Sequence, residues 1–188
     1  MSEQLELPKK QHPVKSTNKK SQEKGVNFEG EISASLKHFG CWRHKFLTGL
    51  SGTPFDHIAI TPMGIALAIE CKVVSKSRTL DNVRLQNKQT KEWKQPKELD
   101  RFLQYGISYL MVNYKVDNIN ECWIVPWARV RKKFWDDIEN RRKSGKYGSI
   151  DIVLNGQLVN RVKLENGSYG WDLSTGFKYI GKEVITCK

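Results

Sequence analysis

Apolar residues recur along this chain in two rhythms. Between Asn27 and Gly40, the positions Phe28, Ile32, Ser35, Leu36 and Phe39 fall three or four apart. That is the spacing of one helix face, and it predicts a helix over Phe28–His38. Asn27 suits its N-cap, Glu29 and Glu31 lie in its first turn where the helix dipole favours acids, and Gly40 ends it. The rhythm then shortens. Cys41–Leu47 reads as a short strand, Thr48–Pro54 as a loop, and His57–Ile60 and Ile65–Lys72 as strands joined by the turn Thr61-Pro62-Met63-Gly64.

Val73–Trp93 is rich in basic and amide side chains and reads as a loop with a short strand at Leu80–Leu85. Gln95-Pro96 opens a helix whose buried stripe is Leu99, Phe102 and Leu103, with proline tolerated in the first turn. Strands follow at Ile107–Tyr114 and Glu121–Val125. Trp127–Asn140 is an amphipathic helix with Val130, Phe134, Trp135 and Ile138 inward. Ile150–Leu154 and Leu158–Leu164 flank Asn155-Gly156, a hairpin signal. Glu165–Phe177 reads as loop and Lys178–Ile185 as an edge strand. This order predicts an α/β core with a central mixed β-sheet flanked by helices, over residues 25–140. Residues 141–188 form a small β-rich C-terminal extension of the same domain. Residues 1–24, polar and lysine-rich with Pro8 and Pro13, form a disordered basic arm.

Charge narrows the partner. The chain of 188 residues carries a formal net charge of +12. That excess favours a polyanion, nucleic acid ahead of a membrane surface. No run is apolar enough to span a bilayer and no signal-peptide core stands near the start, so the expectation is a cytoplasmic protein with no membrane partner. Cys41, Cys71, Cys122 and Cys187 form no CxxC pair, and free, mostly buried thiols are expected.

The candidate chemistry sits in Pro54–Lys72. Side chains alternate across a strand, so Glu70 and Lys72 share one face and Cys71 takes the other. Asp56, at the start of the partner strand, can lie close to Glu70. Two carboxylates and a lysine meeting at one point suit a hard divalent cation beside a scissile phosphate. Asp56 and Glu70 are the candidate ligands, with the backbone carbonyl of Cys71 as a third. Lys72 is placed to stabilise charge or orient a water. Taken alone, a Glu-x-Lys pair is common and a weak signal, and a solvent-facing pair on an edge strand, with Asp56 as a turn residue, is the alternative.

These residues resemble a known pattern. Asp56 with Glu70-Cys71-Lys72 resembles the PD-(D/E)xK nuclease motif, and Asn27-Phe28-Glu29-Gly30-Glu31-Ile32 is similar to the N-terminal motif of Holliday junction resolvases of the archaeal and RecU types. The resemblance spans roughly residues 27–130. It implies a restriction-endonuclease-like core and a homodimer that cuts four-way junctions. It also implies dependence on Mg²⁺, with Mn²⁺ as substitute, and no small-molecule cofactor. The family's acid stands three residues before the apolar position that is Ile32 here, which selects Glu29 as a further catalytic and metal-binding residue. Gln95 corresponds to the family's glutamine near the active site. Pro96 directly after it departs from the pattern, so that Gln89 or Gln86 can hold the role instead.

Around this set, Arg43, Lys45, Ser51, Thr53, Lys76, Arg78, Arg84 and Lys88 are candidate DNA-binding residues. For Arg43 and Lys45 simple surface charge is the slightly better account, and for Ser51 and Thr53 a plain loop-turn role serves at least as well. Two alternatives stand beside the resolvase reading. One is a restriction- or repair-type endonuclease acting on duplex or other branched DNA. The other is a basic nucleic-acid-binding protein without catalysis.

Overall fold

The computed structural model describes residues 16–46 and 53–178. Helix α1 (Ser16–His38) leads into β1 (Trp42–Lys45), β2 (His57–Ile60) and β3 (Ala66–Val74). A segment with β4 (Thr79–Asp81) and a 3-10 turn (Asn82–Leu85) precedes α2 (Lys94–Phe102). Then come β5 (Ile107–Val116), β6 (Ile119–Pro126) and α3 (Trp127–Ser144). The chain continues through β7 (Ser149–Asp151), α4 (Ile152–Asn155), β8 (Gln157–Val159), β9 (Arg161–Lys163), β10 (Tyr169–Trp171) and α5 (Leu173–Lys178).

Six strands form one sheet in the order β1-β2-β3-β5-β6-β8. Every neighbouring pair is antiparallel except β3 and β5, which run parallel with Glu70 opposite Leu110. The sheet is mixed, with helices on both faces, as expected of the α/β core. Alternation along β3 separates the two layers. Leu67, Ile69 and Cys71 join Phe28, Ile32 and Leu36 of α1. Ala68 and Val74 join Leu99 of α2 and Val130 and Phe134 of α3. Gly106 closes the α2–β5 turn against β3, where a Cβ would strike the Ala66 carbonyl oxygen. Gly64 takes φ +79° in the β2–β3 turn, a conformation that favours glycine.

Several expectations are corrected. The first helix begins at Ser16, not Phe28, and so takes in residues 16–24 of the expected disordered arm. Lysine, glutamine and glutamate are good helix formers. The buried stripe further along supplies the nucleus they extend. Residues 1–15 of that arm lie outside the described residues. The short strand expected at Leu80–Leu85 is present as β4, one residue earlier and shorter, with a 3-10 turn after it; β4 pairs with β7, and Leu80 and Leu85 are fully buried. No hairpin forms around Asn155-Gly156. Asp151 Oδ1 accepts from the Val153 and Leu154 amides, both at 2.9 Å, and so caps the short helix α4. Leu158 lies instead in β8, at the edge of the main sheet beside β6. Glu165–Phe177, expected as loop, contains β10 and most of α5. The expected edge strand falls almost wholly in residues 179–188, outside the described residues. Cys41, Cys71 and Cys122 are buried free thiols, and Cys187 is also outside. No described helix is long and apolar enough to cross a membrane.

Candidate active site

The β2–β3 pairing ends at His57 opposite Ile69. One residue earlier, the Asp56 amide still donates to the Ile69 carbonyl at 3.1 Å. The side chain then turns back, and Asp56 Oδ2 accepts the Cys71 amide at 2.7 Å. A residue's N–H and C=O leave a strand on the same side, so the Cys71 carbonyl also points to the edge where Asp56 sits. The Pro54-Phe55-Asp56 turn is anchored by Phe55, buried edge-on against Phe46 and Phe102.

Glu70 is fully buried on the α2 side of β3. Its Oε1 pairs with Lys72 Nζ, while Oε2 has no hydrogen-bond partner. Lys72 Nζ also lies 3.5 Å from Gln95 Oε1 in the first turn of α2, at the limit of a hydrogen bond. Glu29 approaches from the α1 side, 9% exposed, with Lys45 Nζ 3.1 Å from its Oε2.

Three carboxyl groups therefore share one region of low polarity, and their acidities show it. Burial and then the Asp56 charge push Glu70 up to about 8. Burial and then Asp56 raise Glu29, and burial raises Asp56 against the pull of Lys72 and the Cys71 amide. Burial opposes the charge on Lys72, but Glu70 and Asp56 outweigh it, so its pKa ends raised and the ammonium stays charged. His57 points to the α1 face, fully buried, and burial brings it down to about 4, so it is a neutral imidazole at neutral pH.

Asp56, Glu70 and Glu29 are the side chains here that can hold a cation. Hard oxygen donors, mutual repulsion and the unpartnered Glu70 Oε2 fit that use. As they stand, no group of three or more His, Cys, Asp or Glu side chains among the described residues is set to hold a metal ion.

The expected DNA-binding residues scatter. Lys45 joins the acids, and Thr53 is half-buried just before them. Arg43, beside Lys45 on β1, donates through Nε to Ser33 Oγ at 2.8 Å. Arg78 is bound at two points to Glu121, each 2.7 Å, and stacks over Tyr114. Lys76, Arg84 and Lys88 are exposed on the segment before α2. Ser51 lies outside the described residues. Sequence reasoning missed Asp100, which accepts Trp127 Nε1 at 2.8 Å and Trp135 Nε1 at 2.6 Å and ion-pairs with Arg131 at 3.0 Å. It ties α2, and with it Gln95, to α3. One acid on an amphipathic helix gives no sequence signal for such a role.

No protein-family model matches the chain, and comparison with curated proteins finds no match. Among solved structures, the chain is similar to Hjc, a Holliday junction resolvase from the archaeal hyperthermophile Archaeoglobus fulgidus. The TM-score is 0.46 at 19% identity, over 70% of this chain and 93% of that one.

Proposed function

We propose that this chain is a metal-dependent endonuclease that hydrolyses phosphodiester bonds in four-way DNA junctions, acting as a homodimer. The observation that carries the reading is the meeting of Asp56, Glu70, Lys72 and Glu29 at the β2–β3 edge, with Gln95 against the lysine. The PD-(D/E)xK resemblance supplies the substrate, and the +12 charge suits it.

Asp56, Glu70, the Cys71 carbonyl and Glu29 would hold Mg²⁺, or Mn²⁺ in its place, which supplies positive charge at the scissile phosphate when bound. Lys72 stays protonated and places a second positive charge beside it. Gln95 Oε1 restrains that ammonium through the 3.5 Å contact. Burial of Glu70 keeps bulk water from screening these charges. Lys45 and Thr53 flank the acids, and with Lys76, Arg84 and Lys88 they would meet flanking phosphates. A symmetric pair of cuts across a junction needs two such sites, hence the homodimer.

The test is cleavage of a synthetic four-way junction and of its matching linear duplex in Mg²⁺, with Asp56→Asn as control. The junction should be cut in preference by the parent and left intact by the variant. Equal cutting of both substrates would leave a restriction- or repair-type nuclease. Binding without hydrolysis in Mg²⁺ or Mn²⁺ would leave a basic binding protein.

A further inference from the structure

An open cleft of about 790 Å³ lies between the segment preceding α2 and the C-terminal half of α3. Trp93 and Trp135 line it, with Lys91, Arg141, Gln86 and Glu139 around them. None of these side chains takes part in the carboxylate centre. The two places are nonetheless joined through the backbone. Trp93 is the residue before α2, and Gln95, two positions on, meets Lys72.

The cleft is built rather than incidental. Trp135 Nε1 donates to Asp100 at 2.6 Å, which fixes that indole. Trp93 packs edge-on against Phe134, with centroids 5.5 Å apart, and against Tyr147 at 6.0 Å. The Arg141 guanidinium is held 3.6 Å from the centre of the Tyr147 ring. Gln86 Nε2 donates to the Lys91 carbonyl at 2.7 Å, and Lys91 is kept at φ +60°. Both indoles remain half-buried, so part of each lines the opening.

We propose that this cleft binds one unpaired nucleotide of a bound DNA strand. Its base stacks on the Trp93 and Trp135 surfaces, and Lys91 and Arg141 take the adjoining phosphates. Aromatic rings recognise any base through its π-face, and cations beside them track the backbone, so the site is tolerant of sequence but reads the unpaired state. Size agrees, since ligand sites run from about 300 to 1,000 Å³. DNA as the source of the nucleotide rests on the nuclease reading, whereas nucleotide binding does not.

Fluorescence anisotropy in EDTA separates the two. The probes are a labelled duplex and the same duplex with one extrahelical thymidine. The parent should bind the bulged duplex about tenfold more tightly. The double variant Lys91→Gly, Arg141→Gln should lose that preference, and glycine suits φ +60°. Trp93→Leu should lose it too and Trp93→Phe keep part of it, each variant being checked by its circular dichroism melt. Equal affinity of the parent for both duplexes would overturn the proposal, as would an intact preference in the double variant. Displacement of the bulged duplex by free thymidine monophosphate at matching concentration would place the ligand off the strand and also overturn it. No cutting is needed in this assay. A protein that prefers the bulge but never hydrolyses DNA keeps this site and loses the nuclease reading, and a nuclease without the preference does the reverse.

Discussion

Replacing Glu70 with glutamine should stabilise the metal-free protein at pH 8 while abolishing cleavage. Glu70 is fully buried, and burial with the Asp56 charge holds it near 8 rather than its ordinary 4.5. A carboxyl raised in the folded state binds more protons there than in the unfolded chain. Stability is therefore greatest at low pH and is lost as pH climbs from about 4.5 through 8. For Glu70 taken alone, the loss at pH 8 is on the order of 4 kcal/mol. The raised pKa values of Asp56 and Glu29 act in the same direction. The amide stands in for the protonated acid and removes this cost, the pull of Lys72 being already contained in a value near 8, so a net gain on the order of 4 kcal/mol is expected. For a chain of this size that is a rise in melting temperature on the order of 10 °C. The measurement is thermal unfolding of parent and Glu70→Gln in EDTA from pH 5 to pH 8, repeated in Mg²⁺. The variant should melt above the parent at pH 8, match it near pH 5, and gain less from Mg²⁺. A parent whose melting point stays flat from pH 5 to 8, with a variant that melts no higher, would refute the account.

Lys72→Met should lower cleavage of a four-way junction in Mg²⁺ by about a hundredfold or more, as loss of a preorganised charge does elsewhere. Junction binding in EDTA should persist, and loss of binding equal to loss of cleavage would count against the role. Asp100→Ala should cost about 3 kcal/mol in urea unfolding, because it strips partners from Trp127 Nε1, Trp135 Nε1 and Arg131 together, and Trp127 is fully buried. Asp151→Ala should cost about 1 kcal/mol in the same assay, the usual value of an N-cap, since it frees the Val153 and Leu154 amides.

Local periodicity carried much of this architecture. The alternation of Ile69, Glu70, Cys71 and Lys72 is enough to put the acid and lysine on one face of β3, and the turn before His57 is enough to bring Asp56 beside them. The stripe Phe28, Ile32, Leu36 likewise places α1 on the opposite face. What escaped depends on partners distant in sequence or on backbone chemistry that composition hides. The three-residue strands β4 and β7 pair across some seventy positions, with no local pattern to announce it. Arg78 looks like a phosphate contact until Glu121 is found bound to it. Ser16–Lys24 is polar enough to read as coil, because its sequence carries no apolar stripe. Ile152–Leu154 looks like strand because its apolar run outweighs the single capping Asp151.

The parallel pairing of β3 with β5 has a consequence for how this protein can change. A parallel pair cannot be joined by a tight turn, so the chain must leave the end of β3 and return to the start of β5. The chemistry pauses at Lys72 and resumes at Gln95, and everything between them is excursion. That excursion is itself anchored: β4 pairs with β7, and Leu80 and Leu85 are fully buried, so only the exposed stretches on either side of them can change length at small cost. The crossing is thus tied to the far end of the chain through β7, while its two ends carry Lys72 and Gln95. Any change in that crossing has to keep the β4–β7 pairing along with the register of β3 against β5.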